Sequence, residues 1–226
     1  MNPDRAASIL ITRINLSRPD PDWFSPRLEY FRRFCIPSVQ AQRHQPTRWL
    51  LLFDKQTPVD FCKEVMRGVN GVRLFTKTPI AVKSIKAWIK KNISTDWVIT
   101  TRFDSDDALH PLYLQDVQRA SRPKKELLSL PDGWATHAGR VFKWRWHSAF
   151  VSLVERNNDA MNTVNKGAHD RLAARYPYRV LHNKRRWLYV LHDRNLSGDK
   201  KIQEITKQAV EVPKEIINTE FEWITL

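Results

Sequence analysis

Apolar and polar positions change rhythm several times along the chain. Ser8–Asn15 (SILITRIN) is short and β-branched, which predicts a first strand. From Arg27 to Gln42, Leu28, Phe31, Phe34, Cys35 and Val39 recur at helical spacings. Pro37 is expected to kink or interrupt that helix. Trp49–Asp54 (WLLLFD) is apolar up to its closing acid, as in a strand covered on both faces. A helix is predicted over Val59–Arg67, a short strand over Val72–Phe75, and a Lys-rich amphipathic helix over Ile80–Asn92. Trp97–Phe103 (WVITTRF) predicts a fourth strand. Such alternation predicts an α/β fold with an open, mostly parallel sheet and helices on its faces. Ligands of such sheets sit beyond the carboxyl ends of the strands.

The second half reads differently. A helix is predicted near Pro111–Arg122. Two or three short strands follow within Glu126–Glu155, with a turn at Pro131-Asp132-Gly133. Val141–Trp146 (VFKWRW) alternates and presents an aromatic face. Ala168–Arg175 suits a helix and Trp187–His192 (WLYVLH) a late strand, leaving residues 199–226 as a charged, weakly patterned tail, partly helical.

Composition narrows the function. The length of 226 residues suits one domain, and 42% hydrophobic with 27% charged residues is ordinary globular usage. A net charge of +14 attracts anions: phosphorylated substrates, an anionic membrane face or nucleic acid. The basic residues are spread along the chain, and no helix-turn-helix, zinc-finger or RRM signature accompanies them, so no nucleic-acid partner is expected. A nucleic-acid binder or a metal-dependent nuclease is the alternative. The two cysteines, Cys35 and Cys62, make no disulfide framework and read as buried thiols. No apolar run suggests a signal peptide or a membrane span, so the expected location is the cytoplasm, with any membrane contact peripheral and directed to an anionic face.

The most pointed chemistry follows the fourth strand. Asp104, Asp106 and Asp107 fall within four residues. Carboxylates so close repel one another unless a cation joins them, and hard oxygen ligands suit Mn²⁺ or Mg²⁺. The alternative is a solvated loop in which Asp106 or Asp107 caps the next helix.

Thr100-Thr101-Arg102-Phe103-Asp104-Ser105-Asp106-Asp107-Ala108-Leu109 resembles the Asp-x-Asp segment of GT-A-type glycosyltransferases, and more narrowly that of the bacterial rhamnosyl transferase family. Supporting stretches are Thr12–Leu16, Trp49…Asp54…Thr57-Pro58 and Trp187–His192…Asn195, so the resemblance covers about residues 8–197. It implies a GT-A-like, Rossmann-like central sheet with a smaller, mixed acceptor-side sheet. It also implies a nucleotide-sugar donor and a saccharide or lipid-linked acceptor in bacterial surface polysaccharide synthesis. Residues up to about 110 would form the nucleotide-sugar half, 111–197 the acceptor half and 198–226 the tail.

The resemblance distributes roles as follows. Asp106 is the first metal ligand, Asp107 a direct or neighbouring contact, and His192 the C-terminal ligand, although His192 also suits a plain strand-end histidine. Asp104 lies nearer the ribose or donor sugar. Arg13, Asn15 and Asp54, at strand ends, belong to the nucleotide pocket; Asp54 also suits a turn. Lys83 (with Lys86) on the preceding helix could reach phosphate or simply be solvated. Asp170 or His169 is the candidate base, Asp170 being equally suited to capping. Asp132 is a weaker base candidate. Trp134, Trp144 and Trp146 could stack on a sugar or pack in the core.

Overall fold

The computed structural model describes residues 6–77, 81–147, 150–166, 171–182, 185–192 and 198–224. Among the described residues twelve strands form two sheets. The first four are β1 (Ala6–Arg13), β2 (Arg48–Asp54), β3 (Val72–Thr76) and β4 (Trp97–Asp104). Next come β5 (Ala108–Leu109), β6 (Glu126–Ser129), β7 (Asp132–His137) and β8 (Arg140–Arg145). The last are β9 (Val151–Arg156), β10 (Tyr178–Val180), β11 (Trp187–Leu191) and β12 (Val210–Val212).

The large sheet runs β10-β6-β9-β4-β1-β2-β3. Its β4-β1-β2-β3 part is parallel, and β9 is antiparallel to both neighbours. Continuous apolar runs have the predicted consequence: in β2 every residue from Trp49 to Asp54 is buried. One face carries Leu10, Leu51, Phe53, Ile99 and Phe103, the other Ile9, Ile11, Leu50, Leu52 and Val98.

Helices cover both faces. Residues 21–40 form one segmented helical stretch, here α1: α-helical turns, a 3₁₀ turn at Ser25–Arg27, and a π turn at Phe31–Cys35 just before the Ile36–Gln40 turn that contains Pro37. A prolyl nitrogen has no hydrogen for the carbonyl four residues back, and the wider π turn accommodates that loss. α2 (Val59–Val65) and α4 (Tyr113–Ala120) join α1 on the first face. α3 (Ala81–Asn92) seats Ile85 and Ile89 on the second. The helix expected at Ala168–Arg175 lies partly outside the described residues; Arg171–Arg175 is a turn, closed by the Arg175 N–H to Leu172 O bond of 2.9 Å.

The smaller sheet, β12-β8-β7-β11-β5, is mixed. Its inner face (Ala135, Phe142, Trp187, Tyr189, Leu191) shares the first core with the large sheet. Gly133 is required there: a Cβ on it would lie 2.2 Å from the Trp187 ring. The tail is better organised than its pattern suggested. α5 (Gly198–Gln208) adds Ile205 to the core, β12 extends the sheet, and α6 (Glu215–Glu220) covers the outer face with Ile217 and, after it, Phe221 and Ile224.

Candidate functional site

The carboxyl ends of β1, β2 and β4 lie side by side, with Arg13 in register with both Leu52 and Asp104. Asn15 and Asp54 brace this rim. The Asn15 amide donates to Thr57 Oγ1 at 2.9 Å, and its Oδ1 accepts from the Asp54 N–H at 3.2 Å. Asp54 Oδ2 accepts from the Ser17 N–H and Oδ1 from the Gln56 N–H, both at 3.1 Å. Ser17 has φ 63°, a left-handed conformation that this carboxylate bond holds. Both side chains are buried, so their present work is to shape the loops after β1 and β2. Arg13 is exposed at the same rim. Arg102 reaches Asp104 Oδ1 at 3.3 Å, and the Asp104 side chain is 47% exposed, available to a ligand in front of the sheet.

The loop after β4 is fastened from two sides. β5 pairs with β11, and Asp107 Oδ1 accepts the Val190 N–H at 2.9 Å. Just after α1, buried Gln42 donates to Ser38 O at 2.9 Å and His110 O at 2.8 Å and accepts from the Leu114 N–H at 3.1 Å. A buried amide with its bonds satisfied fixes the loop's position.

This fastening brings β11 and the acidic loop together. His192 Nε2 lies 3.1 Å from Asp106 Oδ2, across 86 residues of sequence. The His192 ring stacks on Tyr30, centroids 4.0 Å apart and planes 14° apart. Arg27 donates to the same Asp106 oxygen at 2.6 Å, and both side chains are only 7% exposed. The Arg27 guanidinium also lies 4.7 Å from the centre of the Trp23 ring. Arg27, Tyr30 and Gln42 escaped the sequence reading. The signal pointing to Arg27 was physical: three clustered acids imply a nearby cation, and α1 is rich in arginine.

Electrostatics separate the acids. Burial pushes the Asp106 carboxyl up, but the His192 hydrogen bond and the Arg27 guanidinium more than cancel it and hold it below the usual carboxylate range. Asp107 is pushed well up, by burial first and then by the charges of Asp106 and Asp104, against the Val190 bond. Behind them, burial and the same carboxylates raise the Cys35 thiol.

Does this arrangement fit a divalent ion? Among the described residues no group of three His, Cys, Asp or Glu side chains converges as a ready-made metal cage. Two of the expected ligands do meet. On an octahedral ion with bonds of about 2.1 Å, adjacent ligand atoms lie about 3 Å apart, and Asp106 Oδ2 and His192 Nε2 are 3.1 Å apart. Mg²⁺-type ions commonly take only one or two protein ligands and fill the rest with phosphate and water. The spacing suits such an ion, which would replace the hydrogen bonds that Asp106 Oδ2 now receives from Arg27 and His192. Asp107, turned to the backbone of β11, is placed to orient the loop.

The remaining expected residues lie elsewhere. Lys83 is exposed on α3, while Lys86 and Lys90 of the same helix bind the backbone oxygen and the carboxylate of Asp159. Asp132 is held by Arg145 at 2.9 and 3.1 Å, an ion pair at the β7–β8 edge. Trp134 packs on the outer face of the small sheet, whereas Trp144 and Trp146 flank Lys201 at 5.1 and 4.5 Å. His169 and Asp170 lie outside the described residues, as does Asn195.

Several solved structures resemble the chain at low identity and TM-scores below 0.5. The inositol-1-phosphate CTP transferase of T. maritima is 10% identical over 90% of this chain and 96% of its own, with TM-score 0.45. HddC of Yersinia pseudotuberculosis is 11% identical over 89% and 99%, TM-score 0.45. The glycosyltransferase GlyE of Streptococcus pneumoniae TIGR4 is 13% identical over 78% of this chain and 46% of its own, TM-score 0.41. No curated protein matches the chain. A family model does, over residues 13–204, which spans the parallel strands β2, β3 and β4, the acidic loop and His192, and the chain therefore belongs to the family described as "Putative rhamnosyl transferase".

Proposed function

We propose that the protein is a divalent-metal-dependent glycosyltransferase that moves a sugar from a nucleotide-sugar donor to a saccharide or lipid-linked acceptor in surface polysaccharide synthesis. The observation that carries this reading is the meeting of Asp106 and His192 at the ends of β4 and β11. Mn²⁺ or Mg²⁺ held by these two groups would supply positive charge to the departing nucleoside diphosphate.

The chain's own residues do the rest. Asp104, half exposed, accepts a hydrogen bond from a ribose or sugar hydroxyl. Arg13 and Arg102, at the adjacent strand ends, attract and orient the anionic donor. Arg27 keeps Asp106 ionised, the state a metal ligand requires. Asn15 and Asp54 hold the pocket rim, and Lys83 is near enough in sequence to the motif strand to be tried as a phosphate contact. An inverting enzyme needs a base for the acceptor hydroxyl, and Asp170 or His169 is the assignment to test. No helix among the described residues is long and apolar enough to cross a membrane. Action at the inner face of the cytoplasmic membrane, held by basic residues, suits a lipid-linked acceptor.

The test is a thermal-shift screen of UDP-, GDP-, CMP- and dTDP-sugars with and without Mn²⁺. One nucleotide class should stabilise the protein only when metal is present. A screen in which no nucleotide sugar shifts the melting temperature, or in which metal makes no difference, refutes the reading.

A further inference from the structure

The outer face of the small sheet carries a second collection of cations, separate from the acidic loop. In the β7–β8 register Trp134 stands opposite Lys143, and in the β7–β11 register it stands opposite Leu188. Directly opposite residues share one face of a sheet, so Lys143 rises beside the Trp134 ring. Arg185, just before β11, lays its guanidinium 4.9 Å from the centre of that ring. Glu220 of α6 fixes the indole from the other side, accepting its N–H at 2.7 Å. Together they line a cavity of about 670 Å³ with His110, Arg186 and Thr219.

The charges in this cavity are not equally engaged. Arg186 is committed to Asp116 at 2.6 Å. Arg185 has its Nε buried with no hydrogen-bond partner among the described residues. Lys143 is exposed and makes no ion pair among them. An arginine held over an aromatic ring, with its Nε donor unspent and a lysine beside it, has the form of an oxyanion receptor.

We infer that this cavity is a binding site for a phosphate ester with a polar, hydroxylated body, the phosphate between Arg185 and Lys143 and hydroxyls toward Thr219 and Glu220. Its volume falls in the range of small-molecule sites and exceeds the needs of a bare ion. The site is distinct from the proposed donor site. Arg185 precedes β11 and His192 follows it, and five strand residues plus the flanking steps, at about 3.3 Å each, separate them by roughly 20 Å. Its α6 wall also lies beyond residue 204, where the family match ends.

Two sources share this chemistry, a soluble sugar phosphate and a phospholipid headgroup. Calorimetric titration of the full chain with glucose 1-phosphate, glucose and inorganic phosphate examines the first. Flotation with phosphatidylglycerol or phosphatidylcholine vesicles examines the second. The expected result is saturable binding of glucose 1-phosphate, or flotation specific to phosphatidylglycerol, that weakens about tenfold or more in Arg185→Gln/Lys143→Gln. The same variant should keep the wild-type affinity for the nucleotide sugar found in the thermal-shift screen. Lys143→Gln alone, at an exposed position, serves as the version that leaves folding untouched and should show a smaller loss in the same direction. Absence of saturable binding to every probe, or binding equal in wild type and both variants, overturns the proposal.

Discussion

Replacing Arg27 by Met removes one half of a buried ion pair and leaves the other half in place. The pair is 2.6 Å long and each side chain is 7% exposed, so solvent takes over little of the lost interaction. Stranding one charge of such a pair costs about 3–5 kcal/mol. For a domain of this size each kcal/mol moves the midpoint by about 2–4 °C, so Tm should fall by about 6–20 °C at neutral pH. The pH dependence has a definite sign. Burial raises the Asp106 carboxyl, but His192 and Arg27 outweigh it and leave the folded-state value below the usual one. The pair's contribution is therefore complete above the unfolded-state pKa of about 3.9 and is lost as pH falls through the lower folded value. The gap between wild type and Arg27→Met should be wide at pH 7 and begin to narrow only below about pH 4. Adding Asp106→Asn to Arg27→Met removes the stranded charge and should recover part of the lost stability. Circular dichroism melts across pH measure all three proteins. An Arg27→Met melt within about 2 °C of wild type at pH 7 would refute the buried pair as a structural element.

Three further outcomes follow from neighbouring features. Gly133→Ala drives a methyl to within 2.2 Å of the Trp187 ring, which is itself stacked on Phe150 at 4.6 Å; overpacking of this kind costs about 1–3 kcal/mol or more and should appear as a lower Tm or loss of soluble protein. Cys35 and Cys62 are fully buried and both thiols are raised, by burial foremost, so Ellman's reagent should label neither at pH 8 until denaturant is added. Asp107→Ala leaves the buried Val190 N–H unmet and should cost about 1–3 kcal/mol, whereas Asp107→Asn keeps an acceptor oxygen and should melt close to wild type.

Much of the nucleotide-side half was legible from residue order. β-branched and apolar runs at 8–15, 49–54, 72–75 and 97–103 became β1 to β4 with ends shifted by a residue or two, because burial on both faces leaves a continuous apolar signature. His192 and Asp106 were each legible at a strand end, and their pairing as ligands of one ion came from the family resemblance, not from spacing. Their meeting depends on the β5–β11 pairing, and β5 is only two residues long, too short to carry a period. Arg27 was hidden for a related reason: one arginine on an amphipathic stretch looks like any solvated side chain until the tertiary fold buries it. The tail's partly helical character was legible, but its strand was not, because β12 has three residues, Val-Glu-Val, at a sheet edge, and α6 has only six. Asn15 and Asp54 were placed at the right strand ends, yet their bonds serve neighbouring backbone and side chains, a use that spacing does not reveal.

We propose that Asp106 and His192 hold a divalent ion on which use of the donor depends. The most direct test is release of nucleoside diphosphate from the nucleotide sugar found in the thermal-shift screen, measured with Mn²⁺, with EDTA, and in Asp106→Ala with its fold checked by circular dichroism. Turnover should require Mn²⁺ or Mg²⁺, stop in EDTA, and be absent in a folded Asp106→Ala. Undiminished turnover in EDTA, or full activity in Asp106→Ala, would contradict the account.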